Sequence, residues 1–348
     1  MKKVLAIALA VGMSLSLAAC GGSASSTAAP ASSTAASTAS SVEETVPAGG
    51  KVGVCIYKFD DNFMTNYRDA LQGMLEDKGY EVTVVDGAND QAKQTEQINT
   101  FITQGVDALI INPVMTSAAP QIIDLVKNAD IPTVIINREP TAEDMAAYNK
   151  LVYVGCDAAQ SGTFQGELIL DTENRGDING DGKVSYIMIQ GDPENIDAKL
   201  RTEYSVKALE DAGMQVEKLN LTRGDWDQNK GQEIAQNDLG QFKDKIEVVF
   251  CNNDAMALGA MEAIKAAGRT VGEDIYLVGV DALDAALDAV QAGTMTGTVL
   301  NDHMGQAAKA VECMEELLGG KTYAEGEQSV YVDYVKVTSD NVGNFMKK

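Results

Sequence analysis

The chain has 348 residues, with 51 Asp or Glu against 27 Lys or Arg, and its formal net charge at pH 7 is −24. A charge of this sign and size argues against nucleic acid or anionic lipid as the ligand, and it suits a neutral or cationic one. The single histidine, His303, argues against a histidine-based catalytic or zinc site.

Residues 1–19 have the pattern of an export signal. Two lysines precede an apolar run, residues 4–17, which ends in small residues. The order Leu17-Ala18-Ala19-Cys20-Gly21 resembles a bacterial lipobox, in which the cysteine is acylated and becomes the first mature residue. We therefore expect a lipid anchor at Cys20, and an ordinary soluble signal with a chance cysteine is the alternative.

Residues 20–50 have the composition of a flexible tether. From Gly21 to Gly50, 20 of 30 residues are Ser, Thr or Ala, without apolar periodicity. The remainder, residues 51–348, exceeds the usual size of a single core, so two lobes are expected. None of it is apolar over a stretch long enough to cross a membrane.

The cysteines after Cys20 stand at wide, irregular spacings and form no CxxC motif. They are Cys55, Cys156, Cys251 and Cys313. Buried thiols are the prediction. Disulfides remain open for an exported chain, although the spacing supports no particular pair.

Strand-like and helix-like segments alternate along the folded region. Val52 to Tyr57 predicts a strand, and the apolar residues from Phe63 to Leu75 recur at helical spacing. The alternation continues through segments 81–86, 91–104, 108–112, 118–128 and 133–137, and returns in 184–190, 197–212, 215–221 and 247–251. Strands alternating with helices predict an α/β fold with parallel, doubly wound sheets.

An internal match indicates two similar lobes. Gly79-Tyr80-Glu81-Val82 corresponds to Gly213-Met214-Gln215-Val216, each after a helix that follows a loop aspartate. We expect the first lobe to comprise 51–132 plus 302–332 and the second 133–301 plus 333–348. The chain would then cross between them at a hinge near Ile131-Pro132, Leu300-Asn301 and Tyr331 to Val335.

Polar side chains follow most of the predicted strands. They are Asp60, Asp61, Asn112, Asn137-Arg138-Glu139, Asn252-Asn253-Asp254, Asp281 and Asn301. Ligands of open parallel sheets gather at the carboxyl ends of strands, so two facing lobes with such ends predict a polar cleft. Asp and Asn also favour turns and helix N-caps, which is the alternative for any one position.

Two aromatic residues stand in loops at the same end of the predicted sheets. Trp226 lies in Arg223-Gly224-Asp225-Trp226-Asp227, and Phe63 follows Asp60-Asp61-Asn62. A sugar site needs carboxylates and amides at the ring edge and aromatic surface at its faces, and this sequence has both. Core packing is the alternative for each aromatic residue.

Several motifs together carry a family resemblance. They are Tyr57-Lys58-Phe59-Asp60-Asp61-Asn62-Phe63-Met64, Val154-Gly155, Gly191-Asp192-Pro193, Asn252-Asn253-Asp254-Ala255-Met256-Ala257, Gly279-Val280-Asp281-Ala282-Leu283 and Gly297-Thr298-Val299-Leu300-Asn301-Asp302. With them the chain resembles the periplasmic galactose/glucose-binding proteins of ABC sugar transport. The resemblance implies two Rossmann-like lobes of the periplasmic binding protein type I fold, joined by a three-segment hinge.

The resemblance also implies a set of sugar-contacting residues. Hydroxyl contacts would come from Asp61, Asn112 and Asn301 on the first lobe and from Asp197, Arg201, Asn253 and Asp281 on the second, with Phe63 and Trp226 on the ring faces. Asn195 stands where the family pattern has a contacting histidine. Because Asn still donates and accepts, this departure leaves the preference among hexoses, or for a pentose, open.

A calcium-loop pattern runs from Asp177 to Ser185. Oxygen-bearing side chains occupy positions one, three, five and nine, with Gly182 at six and the Lys183 carbonyl at seven; these side chains are Asp177, Asn179, Asp181 and Ser185. Position twelve is Met188 rather than an acid, so a turn without metal is the alternative. The family resemblance implies Glu247 as the remaining ligand of a structural Ca²⁺.

These observations and the resemblance predict an extracytoplasmic, lipid-anchored, monomeric solute-binding protein that is not an enzyme. It would close on glucose or galactose and deliver it to the membrane permease of an ABC transporter, with a chemoreceptor as a further candidate partner. A pentose such as xylose or ribose, or a furanosyl signal, is the alternative ligand. A glycosidase with paired aspartates and a sugar-responsive repressor are the alternative classes.

Overall fold

The computed structural model describes residues 49–346, which all belong to the second of the two units into which the chain divides, Val46–Lys348. The predicted signal (1–19), Cys20 and nearly all of the 20–50 tether lie outside the described residues. No helix in the described part has both the length and the apolar character that a membrane span requires.

The first half of the described chain alternates strands with helices. Its elements are β1 (Lys51–Ile56), α1 (Asn62–Asp77), β2 (Glu81–Asp86), α2 (Gln91–Gln104), β3 (Ala108–Ile111), α3 (Ala119–Asn128), β4 (Thr133–Ile136), α4 (Ala142–Met145) and β5 (Leu151–Gly155). Every residue of β3, β4 and β5 is buried. Short apolar strands buried on both faces are typical of parallel sheets covered by helices on both sides.

The second half repeats this alternation and ends with two short strands. Its elements are α5 (Ala158–Leu170), β6 (Lys183–Gln190), α6 (Ile196–Asp211), β7 (Gln215–Arg223), α7 (Gln228–Phe242), β8 (Val248–Cys251), α8 (Asp254–Ala266), β9 (Tyr276–Val278), α9 (Asp284–Gln291), β10 (Thr298–Leu300), α10 (His303–Leu318), β11 (Ser329–Tyr331) and β12 (Val335–Val337). The helices that follow β1, β5, β7 and β8 begin at a side-chain N-cap from Asp or Asn.

The strands form two parallel sheets, one in each lobe. The first lobe contains six strands in the order β11-β5-β4-β3-β1-β2, and the second contains four in the order β7-β6-β8-β9. β10 pairs antiparallel with β12 beside the second sheet. These two sheets confirm the predicted two-lobed α/β fold with parallel sheets.

The predicted lobe boundary at residue 132 is wrong. β4 pairs with β3 in the register Leu109↔Thr133, and β5 pairs with β4 on its other side. Residues 133–155 therefore belong to the first lobe, because their buried apolar strands complete its sheet. The first crossing between lobes lies at residues 156–157, and the other two lie at 301–302 and 332–334.

Each lobe buries apolar residues on both faces of its sheet. In the first lobe, α1 and α10 cover one face and α2 and α3 the other. In the second lobe, α7, α8 and α9 cover one face, and α5 packs on the other. The four cysteines in the described residues are buried free thiols, as predicted.

Candidate ligand-binding site

The carboxyl ends of the strands in both lobes meet at one cavity. The space left at its centre is about 30 Å³, room for about two water molecules at roughly 10–15 Å³ each. Its walls comprise Tyr57, Asp61, Phe63, Met64, Asn137 and Arg138 from the first lobe, Asn195, Asp197, Arg201, Trp226, Asn253 and Asp281 from the second, and Asn301 from the second crossing. All the predicted ligand residues except Asn112 are among them.

Three of the lining side chains also cap helices. Asp61, Asn195 and Asn253 are the N-caps of α1, α6 and α8, and each side chain accepts a first-turn backbone N–H, at 2.8, 3.0 and 3.0 Å respectively. The second carboxylate oxygen of Asp61 accepts the Tyr57 hydroxyl at 2.6 Å. Each of these side chains therefore caps a helix and lines the cavity at the same time, since the capping bond fixes the side chain in the cavity wall.

Arg201 on α6 is the centre of a buried hydrogen-bond network. Its Nη1 donates to the Asn252 carbonyl at 2.9 Å, and its Nη2 donates to Asp197 Oδ2 at 3.2 Å and to the Tyr334 hydroxyl at 2.9 Å. Its Nε is buried without a partner in the described residues. Burial raises the pKa of Asp197, an effect that Arg201 and Arg138 oppose.

Asp281 and Asn301 form the adjoining wall. Asn301 Nδ2 donates to Asp281 Oδ1 at 3.2 Å, and Asn301 Oδ1 accepts from Gln306 at 2.7 Å. Asp281 has a φ of +125°, an unusual backbone conformation for a residue with a side chain. Burial raises the pKa of Asp281 well above its usual range, while Arg201 opposes the shift.

The two predicted aromatic residues come from opposite lobes. Phe63 is 6 % exposed in the first turn of α1. Trp226 stands between β7 and α7 at a φ of +66°, with its ring centre 5.8 Å from the guanidinium carbon of Arg201. Its indole lies directly on Gly191, where an added Cβ would overlap the ring. The close approach of the indole explains a glycine at this position.

Four lining residues were not among the predicted contacts. They are Tyr57, Met64, Asn137 and Arg138. The guanidinium of Arg138 stacks 4.0 Å from the ring centre of Tyr57 and donates to the Val114 carbonyl, and its Nε is buried without a partner in the described residues. Asn137 and Arg138 stand at the end of a predicted strand, which makes them candidates for the cleft but does not identify their contacts.

Asn112 lies behind the cavity rather than in its wall. Its Nδ2 donates to Asn137 Oδ1 at 3.1 Å and its Oδ1 accepts the backbone N–H of Tyr57 at 3.3 Å. The amide is fully buried between strand ends. In this structure Asn112 supports two lining residues through its bonds to neighbouring strands, and its direct contact with a sugar stays a prediction.

The candidate metal loop is closed by hydrogen bonds to its own backbone. Asp177, Asn179 and Asp181 side chains accept N–H groups within residues 180–183. Glu247, 1 % exposed, accepts the N–H groups of Asn179 and Ser185 at 2.9 and 2.8 Å. Residues 49–346 contain no group of three or more Asp, Glu, His or Cys side chains placed to hold a metal ion.

Comparison with known proteins places the chain in a family. The sequence profile described as periplasmic binding protein domain matches residues 52–322. The D-galactose/methyl-galactoside binding periplasmic protein MglB of Haemophilus influenzae is 37% identical over 311 residues, covering 86% of this chain and 93% of that protein.

Two further relatives match over most of the chain. The ribose import binding protein RbsB of Salmonella typhimurium is 27% identical over 282 residues, covering 80% of this chain and 88% of that protein. The crystal structure of an ABC transporter solute binding protein from Bacillus halodurans with bound myo-inositol has a TM-score of 0.74 at 30% identity, covering 85% of this chain and 97% of that chain. The present chain therefore belongs to the periplasmic binding protein family.

Proposed function

We propose that the protein captures a hexose, glucose or galactose, between its lobes and delivers it to the permease of an ABC transporter. One observation carries the proposal. The Nε atoms of both cavity-lining arginines, Arg138 and Arg201, are buried without a hydrogen-bond partner in the described residues. Because buried donors in native proteins are almost always paired, these two would be satisfied by the oxygens of a bound polyol or of the water that it displaces.

The other lining groups suit a sugar. Carboxylates at Asp61, Asp197 and Asp281 accept hydrogen bonds from hydroxyls, and charged partners make stronger hydrogen bonds than neutral ones. Phe63 and Trp226 offer aromatic surface to the weakly polar C–H faces of a ring. A carboxylate that accepts from a hydroxyl in either epimeric position is compatible with both glucose and galactose.

A different polyol is the second candidate ligand. Asn195 lacks the imidazole of the galactose/glucose-binding pattern, and Arg138 adds a charged donor to the first-lobe wall. Family relatives include a ribose import protein and a protein with bound myo-inositol. A pentose, a furanosyl sugar or a cyclic polyol is therefore the alternative to a hexose.

Calorimetric titration of the purified protein with glucose, galactose, xylose, ribose and myo-inositol tests the proposal. We expect at least one hexose to bind with a Kd of about 1 μM or below, near −8 kcal/mol. Asp281→Asn should weaken that binding at least about tenfold, whereas Asp124→Asn, on the exposed face of α3, should not. Binding of ribose, xylose or inositol without either hexose would reject the hexose assignment, and release of free sugar from a glycoside would favour a glycosidase.

We also propose that the protein works outside the cytoplasm as a monomer. Residues 1–19 would direct export and a lipid on Cys20 would be its sole attachment to the membrane. The closed, liganded form would be recognised by the permease, and a chemoreceptor is a second candidate partner.

Calcium at residues 177–185 is a further part of the proposal. Glu247 is a buried carboxylate with no ion pair in the described residues, and it is bonded directly to the loop that contains Asp177, Asn179 and Asp181. Too few carboxylates converge here to hold a metal alone, so the Asn179 amide, the Lys183 carbonyl and the Ser185 hydroxyl would also be needed. Ca²⁺ takes about six to eight such oxygen ligands, and its role away from the cavity would be structural.

Removal of calcium should destabilise the protein. We expect a chelator to lower the Tm by about 5–10 °C and excess Ca²⁺ to restore it, because the ion binds only the folded loop. Glu247→Gln should abolish this response, whereas Asp340→Asn, at an exposed position outside the loop, should retain it. A melting curve that does not change after verified metal removal contradicts the site.

A further inference from the structure

Tyr334 lies in the third crossing and is bound to the second lobe at two points. Its hydroxyl accepts an N–H from Arg201 Nη2 at 2.9 Å, and its backbone N–H donates to Gln160 Oε1 on α5 at 2.7 Å. Two residues earlier, the Val332 N–H donates to the Gly155 carbonyl of the first lobe at 2.8 Å. The crossing thus passes from one lobe to the other within two residues, and Tyr334 anchors its second-lobe end.

Arg201, which donates to the Tyr334 hydroxyl, lines the cavity. Arg201 has three hydrogen-bond acceptors among its neighbours, the Asn252 carbonyl, Asp197 and the Tyr334 hydroxyl, and its Nε has none in the described residues. Three fixed acceptors hold a planar guanidinium in one orientation. Tyr334 is the only one of the three that belongs to a crossing.

The second crossing contains a comparable link. Asn301 lines the cavity and donates to Asp281 of the second lobe at 3.2 Å, while its Oδ1 lies 3.4 Å from the Cys156 thiol of the first crossing. Cavity-lining groups therefore bond to residues of all three crossings. A ligand that reorients these cavity-lining side chains would therefore act directly on the hinge, with no other helix or strand in between.

We infer that Tyr334 is a positioning residue that couples ligand binding to lobe closure by holding Arg201 to the third crossing. The identity of the ligand in this inference rests on the proposed function, whereas the hydrogen bond between Tyr334 and Arg201 is present without any ligand. Loss of the hydroxyl would leave the guanidinium with two acceptors, the Asn252 carbonyl and Asp197, and without its link to the third crossing, so that ligand binding would have to order it further.

Tyr334→Phe removes only this hydroxyl, and Tyr323→Phe is the matched control. Tyr323 is 7 % exposed against 4 % for Tyr334, and its hydroxyl donates to Glu316 in the first lobe, away from the cavity. Trp226 is the single tryptophan of the chain and its ring centre lies 5.8 Å from the Arg201 guanidinium. Its emission therefore reports on Arg201 in the unliganded protein.

We expect the emission of unliganded Tyr334→Phe to differ from that of the wild type and its hexose affinity to fall roughly tenfold. Tyr323→Phe should retain both properties, and the Tm values of the two unliganded variants should agree within about 3 °C. Wild-type emission, or wild-type affinity, in Tyr334→Phe overturns the inference, as does a fall in Tm without a fall in affinity. Absence of hexose binding by the wild type rejects the proposed function, and the emission comparison then still decides the Tyr334–Arg201 link.

Discussion

At the scale of single residues, Asp238 on α7 carries a buried carboxylate with one partner. Its Oδ1 accepts from Asn220 Nδ2 at 2.7 Å, and its Oδ2 is buried without a hydrogen bond in the described residues. Burial raises the pKa of Asp238, and the bond from Asn220 only partly opposes this. A carboxyl whose folded pKa is raised favours folding below its unfolded pKa, and this contribution is lost as the pH rises through the folded pKa.

Asp238→Asn should therefore stabilise the protein at neutral pH. Removing the buried charge should raise the free energy of unfolding by about 1 kcal/mol at pH 7.5, and the gain should shrink towards pH 4 as protonation neutralises more of the wild-type carboxyl. Urea denaturation at the two pH values measures both effects. Asp124→Asn on the exposed face of α3 serves as the control, and an equal gain there, or a gain that grows towards pH 4, would contradict this reasoning.

Residue chemistry made part of the cavity predictable. Asp61, Asn195 and Asn253 follow strands, and the N-cap geometry that makes Asp and Asn common there also directs them to the cavity. Arg138 and Tyr57 were missed as contacts because their stacking depends on the ends of two separate strands. No local spacing in the sequence records that contact.

At the scale of elements, α7 and α8 pack closely through glycines. A Cβ added at Gly259 would overlap the Gln228 carbonyl oxygen, and one at Gly231 would overlap the Met256 backbone. Both obstacles are backbone atoms, which cannot move without separating the helices. The contact between these helices therefore depends on glycine on both sides.

Gly259→Ala should lower the free energy of unfolding by about 1–3 kcal/mol, because the added methyl forces the helices apart. Gly240→Ala is the matched control, since it lies in the exposed last turn of α7 with nothing within 4 Å of an added Cβ. That variant should gain about 0.5–1 kcal/mol from its higher helix propensity. Equal effects of the two substitutions in thermal or urea unfolding would contradict close packing as the cause.

Long elements were predictable and short ones were not. The helix expected over 91–104 is α2, Gln91–Gln104, because a capping aspartate and a terminal glycine limit its apolar periodicity. The strands β9 to β12 have three residues each, which is too few for a period of two to be recognised. Their positions depend on pairing with distant strands.

At the scale of the whole molecule, the duplicated α/β pattern identified two lobes but not their boundary. The crossing at 156–157 connects β5 directly to α5, with no Pro- or Gly-rich linker between them. Pro132 offered a stronger local signal, yet it precedes the buried strand β4 of the first sheet. Which sheet a strand joins is decided by long-range pairing, and two lobes of similar composition give no local indication of it.

The three crossings also have a consequence for biosynthesis. The first lobe needs α10 to cover one face of its sheet and β11 to extend its edge beside β5, and both come from the last part of the chain. The main sheet of the second lobe, residues 183–278, is synthesised before these pieces exist. The lobe that begins first on the ribosome therefore cannot complete its core until most of the second lobe has been synthesised.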